Sequence, residues 1–179
     1  APTPTRENPY GRADFRDVPV GAQAVDFALY DVRGQLHALS ELNQDAIVVL
    51  QFASASSPHY VGSLHDVNAV MRDYGRDDVR FVTVYTAEAH PDYLPPEDRP
   101  QTWQERRRLA ARLRYAYTYR DDGRRHAVDG TKLPNFPNRI TLVDETPDVV
   151  AGIYGYDPES ADNPCVIIDS QGTIKLGRE

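Results

Sequence analysis

Residues 47–60 read Ile-Val-Val-Leu-Gln-Phe-Ala-Ser-Ala-Ser-Ser-Pro-His-Tyr, an apolar run that passes into small residues and then a proline. Six residues with no polar alternation suit a strand buried on both faces, as in a parallel sheet. The small residues 53–57 read as a turn, and a serine at an N-cap followed by proline at the first helical position marks a helix start. Tyr60, Leu64, Val67, Met71 and Tyr74 then recur at helical spacing, and Gly75 is placed to stop the helix. A strand, a tight turn and a helix are therefore predicted, with Ser57 at the junction.

Outward from this unit the pattern keeps alternating between strand and helix. On the N-terminal side, Val25, Phe27 and Leu29 recur at period two, residues 31–35 turn the chain, and residues 36–39 return as a hairpin partner. On the C-terminal side, residues 79–85 form the next central strand, and four prolines and three acids in residues 89–100 make a loop. Trp103, Leu109, Ala110, Leu113 and Tyr117 predict a second helix over about 101–117, followed by a polar loop. Residues 140–143 read as a short strand, and Thr146-Pro147-Asp148 as the cap of a helix carrying Val149, Val150, Ile153 and Tyr154. Residues 166–176, with a Ser170-Gln171-Gly172 turn, form a terminal hairpin. This order predicts an α/β domain with a central sheet flanked by helices and an N-terminal β-hairpin. Pattern alone also permits a flavodoxin-like sheet.

The domain is expected to run over 19–179, with residues 1–18, rich in Pro, Arg, Asp and Glu, as an extended N-terminal arm. The start Ala1-Pro2-Thr3-Pro4 fits either a trimmed chain or a mature end left by signal cleavage, so cytoplasmic and secreted or periplasmic locations both stay open. Twenty basic residues against 27 acidic ones give a net charge of −7, which provides no general attraction to nucleic acid or anionic lipid. No apolar run approaches the roughly 20 residues of a membrane span. Cys165 is the single cysteine, so no intrachain disulfide and no Cys-x-x-Cys pair can form. The histidines have poor spacing for a shared metal, and none is expected.

Three segments carry a resemblance. Residues 25–42, VDFALYDVRGQLHALSEL, resemble the N-terminal hairpin of thiol reductases and peroxiredoxins; residues 47–60 resemble the active-site strand, turn and helix of the iodothyronine deiodinases. Residues 81–92, FVTVYTAEAHPD, are similar to the deiodinase strand that ends in tyrosine, glutamate, alanine, histidine and proline. The chain thus resembles the deiodinase-like branch of the thioredoxin superfamily over roughly residues 20–177. The resemblance implies a thioredoxin-like fold and reductive dehalogenation of an iodinated phenol with a thiol reductant. It implies no bound cofactor, and a homodimer as the assembly.

Residue by residue, Ser57 falls where the family carries selenocysteine or cysteine, and Ala55 where many members carry an auxiliary cysteine. Glu88 and His90 match the catalytic glutamate and histidine. Tyr85 matches the tyrosine at the strand end, His59 stands in place of a second proline beside the substrate, and Pro164 matches the superfamily cis-proline. Glu88 and His90 lie beyond the carboxyl end of a central strand, where open α/β sheets place ligands, although a loop-anchoring hydrogen bond explains them equally well. The aspartate-glycine-tryptophan that follows the family histidine is missing, and the chain stops where a last helix is expected. Attack on iodine needs a soft anion. A serine hydroxyl is neither soft nor ionised near neutral pH, and His59 or His90 could serve it as a base only with a third group that sequence does not identify. The chain is therefore read as a deiodinase-like oxidoreductase scaffold with its nucleophile replaced. The alternatives are a thiol-disulfide reductase or peroxiredoxin-like protein and a non-catalytic binding module. Cys165, after Pro164, is either a buried small hydrophobe or a displaced thiol.

Overall fold

The computed structural model describes residues 19–113, 115–119, 125–132, 139–145, 148–156 and 165–176. The arm expected over 1–18 and the peptide bond expected to be cis at Pro164 lie outside the described residues.

β1 (Ala28–Asp31) and β2 (Leu36–Ala38) form the N-terminal hairpin, with Gly34 at φ +87° in its turn. After α1 (Leu39–Leu42) comes β3 (Ile47–Ala53), then α2 (Pro58–Tyr74), which Gly75 ends by donating its N–H to the Met71 carbonyl at 2.7 Å. β4 (Val79–Tyr85) leads through two short 3-10 turns to α3 (Trp103–Ala110). β5 (Tyr115–Tyr119) and β6 (Arg125–Lys132) pair with each other in a separate two-stranded sheet. β7 (Arg139–Val143), α4 (Val150–Ile153), β8 (Cys165–Ile168) and β9 (Ile174–Leu176) complete the main sheet.

That sheet has seven strands in the order β2-β1-β7-β4-β3-β8-β9. β3, β4 and β7 run parallel at its centre, and the strands outside them pair antiparallel. A mixed sheet of this order excludes the all-parallel flavodoxin-like alternative. Alternate side chains of β3 explain its two-sided burial. Val48, Leu50 and Phe52 meet Val82, Val84, Leu142 and Ile168 beneath α1 and α4, and Phe52 stacks on Tyr156 with centroids 5.3 Å apart. On the opposite face Met71 of α2 packs with Val79 and Phe81, while Leu109 and Ala110 of α3 pack with Ala53, Tyr85 and Val143. Among the described residues no helix is long and apolar enough to cross a membrane.

Two expectations need correction. The second helix does not reach residue 117; it ends at Ala110, and the chain re-emerges as β5. Leu109, Leu113 and Tyr117 fit helical spacing, but Tyr115, Tyr117 and Tyr119 also fit period two, and aromatics favour strands. The stretch read as polar loop supplies β6, whose pairing with β5 satisfies backbone groups without an alternating apolar signal. The second correction is the cap of α4, for which Thr146 and Pro147 of the expected cap lie outside the described residues. Its amides are held by the carboxylate of Asp144 at the end of β7, which accepts from Val149, Val150 and Ala151 at 2.8 to 3.2 Å.

Candidate functional site

β3 delivers the chain to the turn at its carboxyl end, and Ser57 closes that turn as the N-cap of α2. Its hydroxyl accepts the Tyr60 N–H at 3.3 Å, and its own N–H donates to the Ser54 carbonyl at 3.3 Å. Ser57 is buried, as are Ser54 and Ser56.

The turn is fastened to the loop that follows β4, and each segment uses its side chains on the other's backbone. The Ala55 N–H donates to Glu88 Oε1 at 3.3 Å and the Ser56 N–H to Glu88 Oε2 at 2.7 Å. In return the Ser54 hydroxyl accepts from the Ala89 N–H at 3.2 Å, and the Ser56 hydroxyl from the His90 N–H at 2.9 Å. The Tyr85 hydroxyl donates to Glu88 Oε1, and Thr86 donates its N–H to the Ala53 carbonyl. Parallel pairing of β3 with β4, in the register Ala53 with Tyr85, brings these two loops side by side.

Burial raises the Glu88 carboxyl above its ordinary range. The Ser56 hydroxyl, the two amides and the charge of Arg106 oppose that shift by favouring the carboxylate. The loop is braced from behind, where Ala87 donates its N–H to both oxygens of Asp148, and Arg106 reaches the same carboxylate at 2.5 Å. Cys165 is half-buried and lines an apolar cavity of about 200 Å³ with Val49, Val67, Met71 and Phe81. Burial pushes its thiol up to about 11, so it is not an activated nucleophile.

The structure thus gathers Ser57, Glu88, Tyr85 and the backbone of His90 around one turn. Tyr85 has no exposed surface and reaches the turn through Glu88. The His90 ring stacks on Tyr93 with centroids 4.6 Å apart. The side chain of His59 and all of Pro164 lie outside the described residues. Sequence reading missed Ser54 and Ser56 as anchors, although their alternation in Ser54-Ala55-Ser56 was a signal that both hydroxyls face one way. It also missed Arg106 and Asp148, whose pairing has no local signal. Among the described residues no group of three His, Cys, Asp or Glu side chains is placed to hold a metal ion.

No protein-family model matches the sequence, and no curated protein matches it. Solved structures match it in three dimensions. A hypothetical protein from Sinorhizobium meliloti 1021 aligns at 18% identity and a TM-score of 0.58, over 88% of this chain and 69% of that one. The thioredoxin domain of a thiol-disulfide oxidoreductase from Bacteroides vulgatus aligns at 10% identity and 0.56, over 91% and 90%. The fold is thioredoxin-like. A yeast mitochondrial 1-Cys peroxiredoxin aligns as well, at 13% identity and 0.55, over 89% and 66%. At these identities the likeness is one of fold, and in the thioredoxin-like frame Ser57 stands at the start of the helix that follows the central strand.

The anchoring role of Glu88 can be measured. Glu88→Ala leaves the Ala55 and Ser56 amides without their acceptor and is expected to cost about 1–3 kcal/mol, read from the urea midpoint. A change below a few tenths would show that the carboxylate does not hold the turn.

Proposed function

We propose that this chain is a thioredoxin-fold protein of the thiol-disulfide oxidoreductase and peroxiredoxin type, with residue 57 in the attacking position. Serine there leaves a domain that binds without turning over. The observation that carries the reading is the seat of Ser57, which is the N-cap of the 17-residue α2 directly after a central strand, with its turn fastened on both sides. A helix N-terminus stabilises an anion, so a thiol in this seat is favoured as thiolate. A thiolate there would attack one sulfur of a disulfide; the S–S bond breaks and the departing sulfur leaves as thiolate with the bonding pair. The sequence holds no second cysteine beside residue 57, so an external thiol would have to resolve the mixed disulfide.

A second reading narrows the substrate to an iodinated phenol, and it is favoured by the packing of Tyr85, Glu88 and His90 against the Ser57 turn. In that case the nucleophile takes iodine, the carbon–iodine pair stays on the ring carbon and is protonated, and an external thiol reduces the resulting sulfenyl iodide. Serine supports neither reaction. The chain is expected to show no turnover of a disulfide, a hydroperoxide or an iodinated phenol with dithiothreitol. Turnover that survives Cys165→Ala would overturn the assignment of residue 57 as the silent position.

A further inference from the structure

Two residues that touch neither Ser57 nor its turn are built into the support beneath it. Arg106 on α3 is 7% exposed, and its Nη1 donates to Asp148 Oδ1 and to the Glu145 carbonyl at 2.8 Å. Asp148 divides its carboxylate between that guanidinium and the N–H of Ala87, at 2.9 and 3.1 Å. Ala87 immediately precedes Glu88, which holds the amides of Ala55 and Ser56. An unbroken path therefore runs from α3 through Asp148 and the loop to the residues before Ser57. A buried ion pair adds little net stability once desolvation is counted, so stability alone does not account for this arrangement.

We propose that Arg106 and Asp148 are positioning residues for the Ser57 turn. Asp148 fixes the loop through the Ala87 N–H. Arg106 holds that carboxylate in place from α3 at 2.5 Å, and its charge is one of the influences that favour the ionised Glu88 over the opposing effect of burial. The proposal rests on residue 57 being the attacking position, since that is what the turn orients.

Among the described residues, the groups facing Glu88 are the Tyr85 hydroxyl from β4, the Ser56 hydroxyl and two amides from the turn, and Arg106 from α3. Asp148 lies behind Ala87, Asp144 stands against Asp148 at the end of β7, and His90 shares the loop. Among these, Arg106 is the cation whose field lowers the Glu88 carboxyl.

The test follows the amide NMR shifts of Ala55 and Ser56 against pH in the full chain, because both amides donate to the titrating carboxylate. Arg106→Gln removes the charge, so the midpoint should move up. Asp148→Asn keeps an acceptor for Ala87 but removes the counter-charge, so Arg106 acts on Glu88 unneutralised and the midpoint should move down. Arg106→Lys should bring the midpoint back toward the native value. Opposite shifts would also arise from two bare charges near Glu88, so the same amides are read at a pH above the midpoints as well. There Asp148→Ala, which strands the Ala87 N–H, should shift Ala55 and Ser56 well beyond Asp148→Asn, which keeps an acceptor. Equal shifts in those two variants, midpoints that move together or not at all, or an Asp148→Asn midpoint that fails to fall overturn the proposal. The readout needs no activity, so it stands apart from the chemistry of residue 57: an inert thiol at that position would sink the functional reading while leaving these midpoints in place.

Discussion

Ser57→Cys, made together with Cys165→Ala, is expected to give a thiol that titrates near 7 to 8, well below the value of about 11 to which burial pushes Cys165. Ser57 is buried and Cys165 half-buried, and burial alone raises a thiol. The difference lies in what each sulfur meets. Cys165 faces the apolar side chains of Val49, Val67 and Phe81. A sulfur at position 57 sits on the N-terminus of α2, where the Tyr60 N–H already donates to the side chain. The helix field favours an anion by roughly 0.3–2 kcal/mol, at most about 1.5 pKa units below the ordinary 8.5. A fall of one unit raises the thiolate fraction at neutral pH about tenfold. The measurement is the pH dependence of alkylation by iodoacetamide, with one thiol left to report. A midpoint at or above about 8.5, or a thiol that never alkylates in the folded protein, would leave the chain as a binding module. A depressed midpoint with deiodination of an iodinated phenol would select the narrower of the two readings above.

The largest stability effect is expected at Asp144. It is fully buried, and its carboxylate accepts from the amides of Glu145, Val149, Val150 and Ala151. Asp144→Ala strands four donors and should cost about 3–5 kcal/mol, measured by urea unfolding at neutral pH. Asp144→Asn keeps one acceptor oxygen and should cost less. The pH dependence distinguishes charge from hydrogen bonding. Burial pushes the Asp144 carboxyl up from 3.8 to about 6, against the pull of the Ala151 and Val150 amides, with the Asp148 charge adding to the rise. The folded state therefore binds the proton more tightly than the unfolded state. The stability this provides is complete below about 3.8 and is lost as pH rises through about 6, a fall of about 3 kcal/mol. Asp144→Asn should remove that part of the slope. A native and an Asn profile that run parallel between about pH 4 and 6.5 would show that Asp144 does not titrate there.

Much of the candidate site was legible because its signals are local. Serine before proline announced the start of α2, and Gly75 announced its end, because capping uses residues within one turn of the helix terminus. The alternation of strands and helices gave the α/β class, since each period reflects which side chains face a core. Glu88 and His90 were marked by their place after a central strand. What they do there was not readable: Glu88 meets amides 32 and 33 residues away, a distance that only the pairing of β3 with β4 closes.

The sequence by itself determined that strand 47–53, the small-residue turn and the helix after it exist, that Ser57 caps that helix, and that the chain has one cysteine to offer. Each of these depends on a few neighbouring residues or on composition. Tertiary structure alone decided the strand order, the pairing of β5 with β6, the capping of α4 by Asp144 and the bracing of the Ser57 turn by Glu88, Asp148 and Arg106. Those choices are made where a buried donor must find an acceptor and only a distant segment can supply one. The carboxylates of Glu88 and Asp144 are placed by that requirement, and no local pattern in the chain carries it.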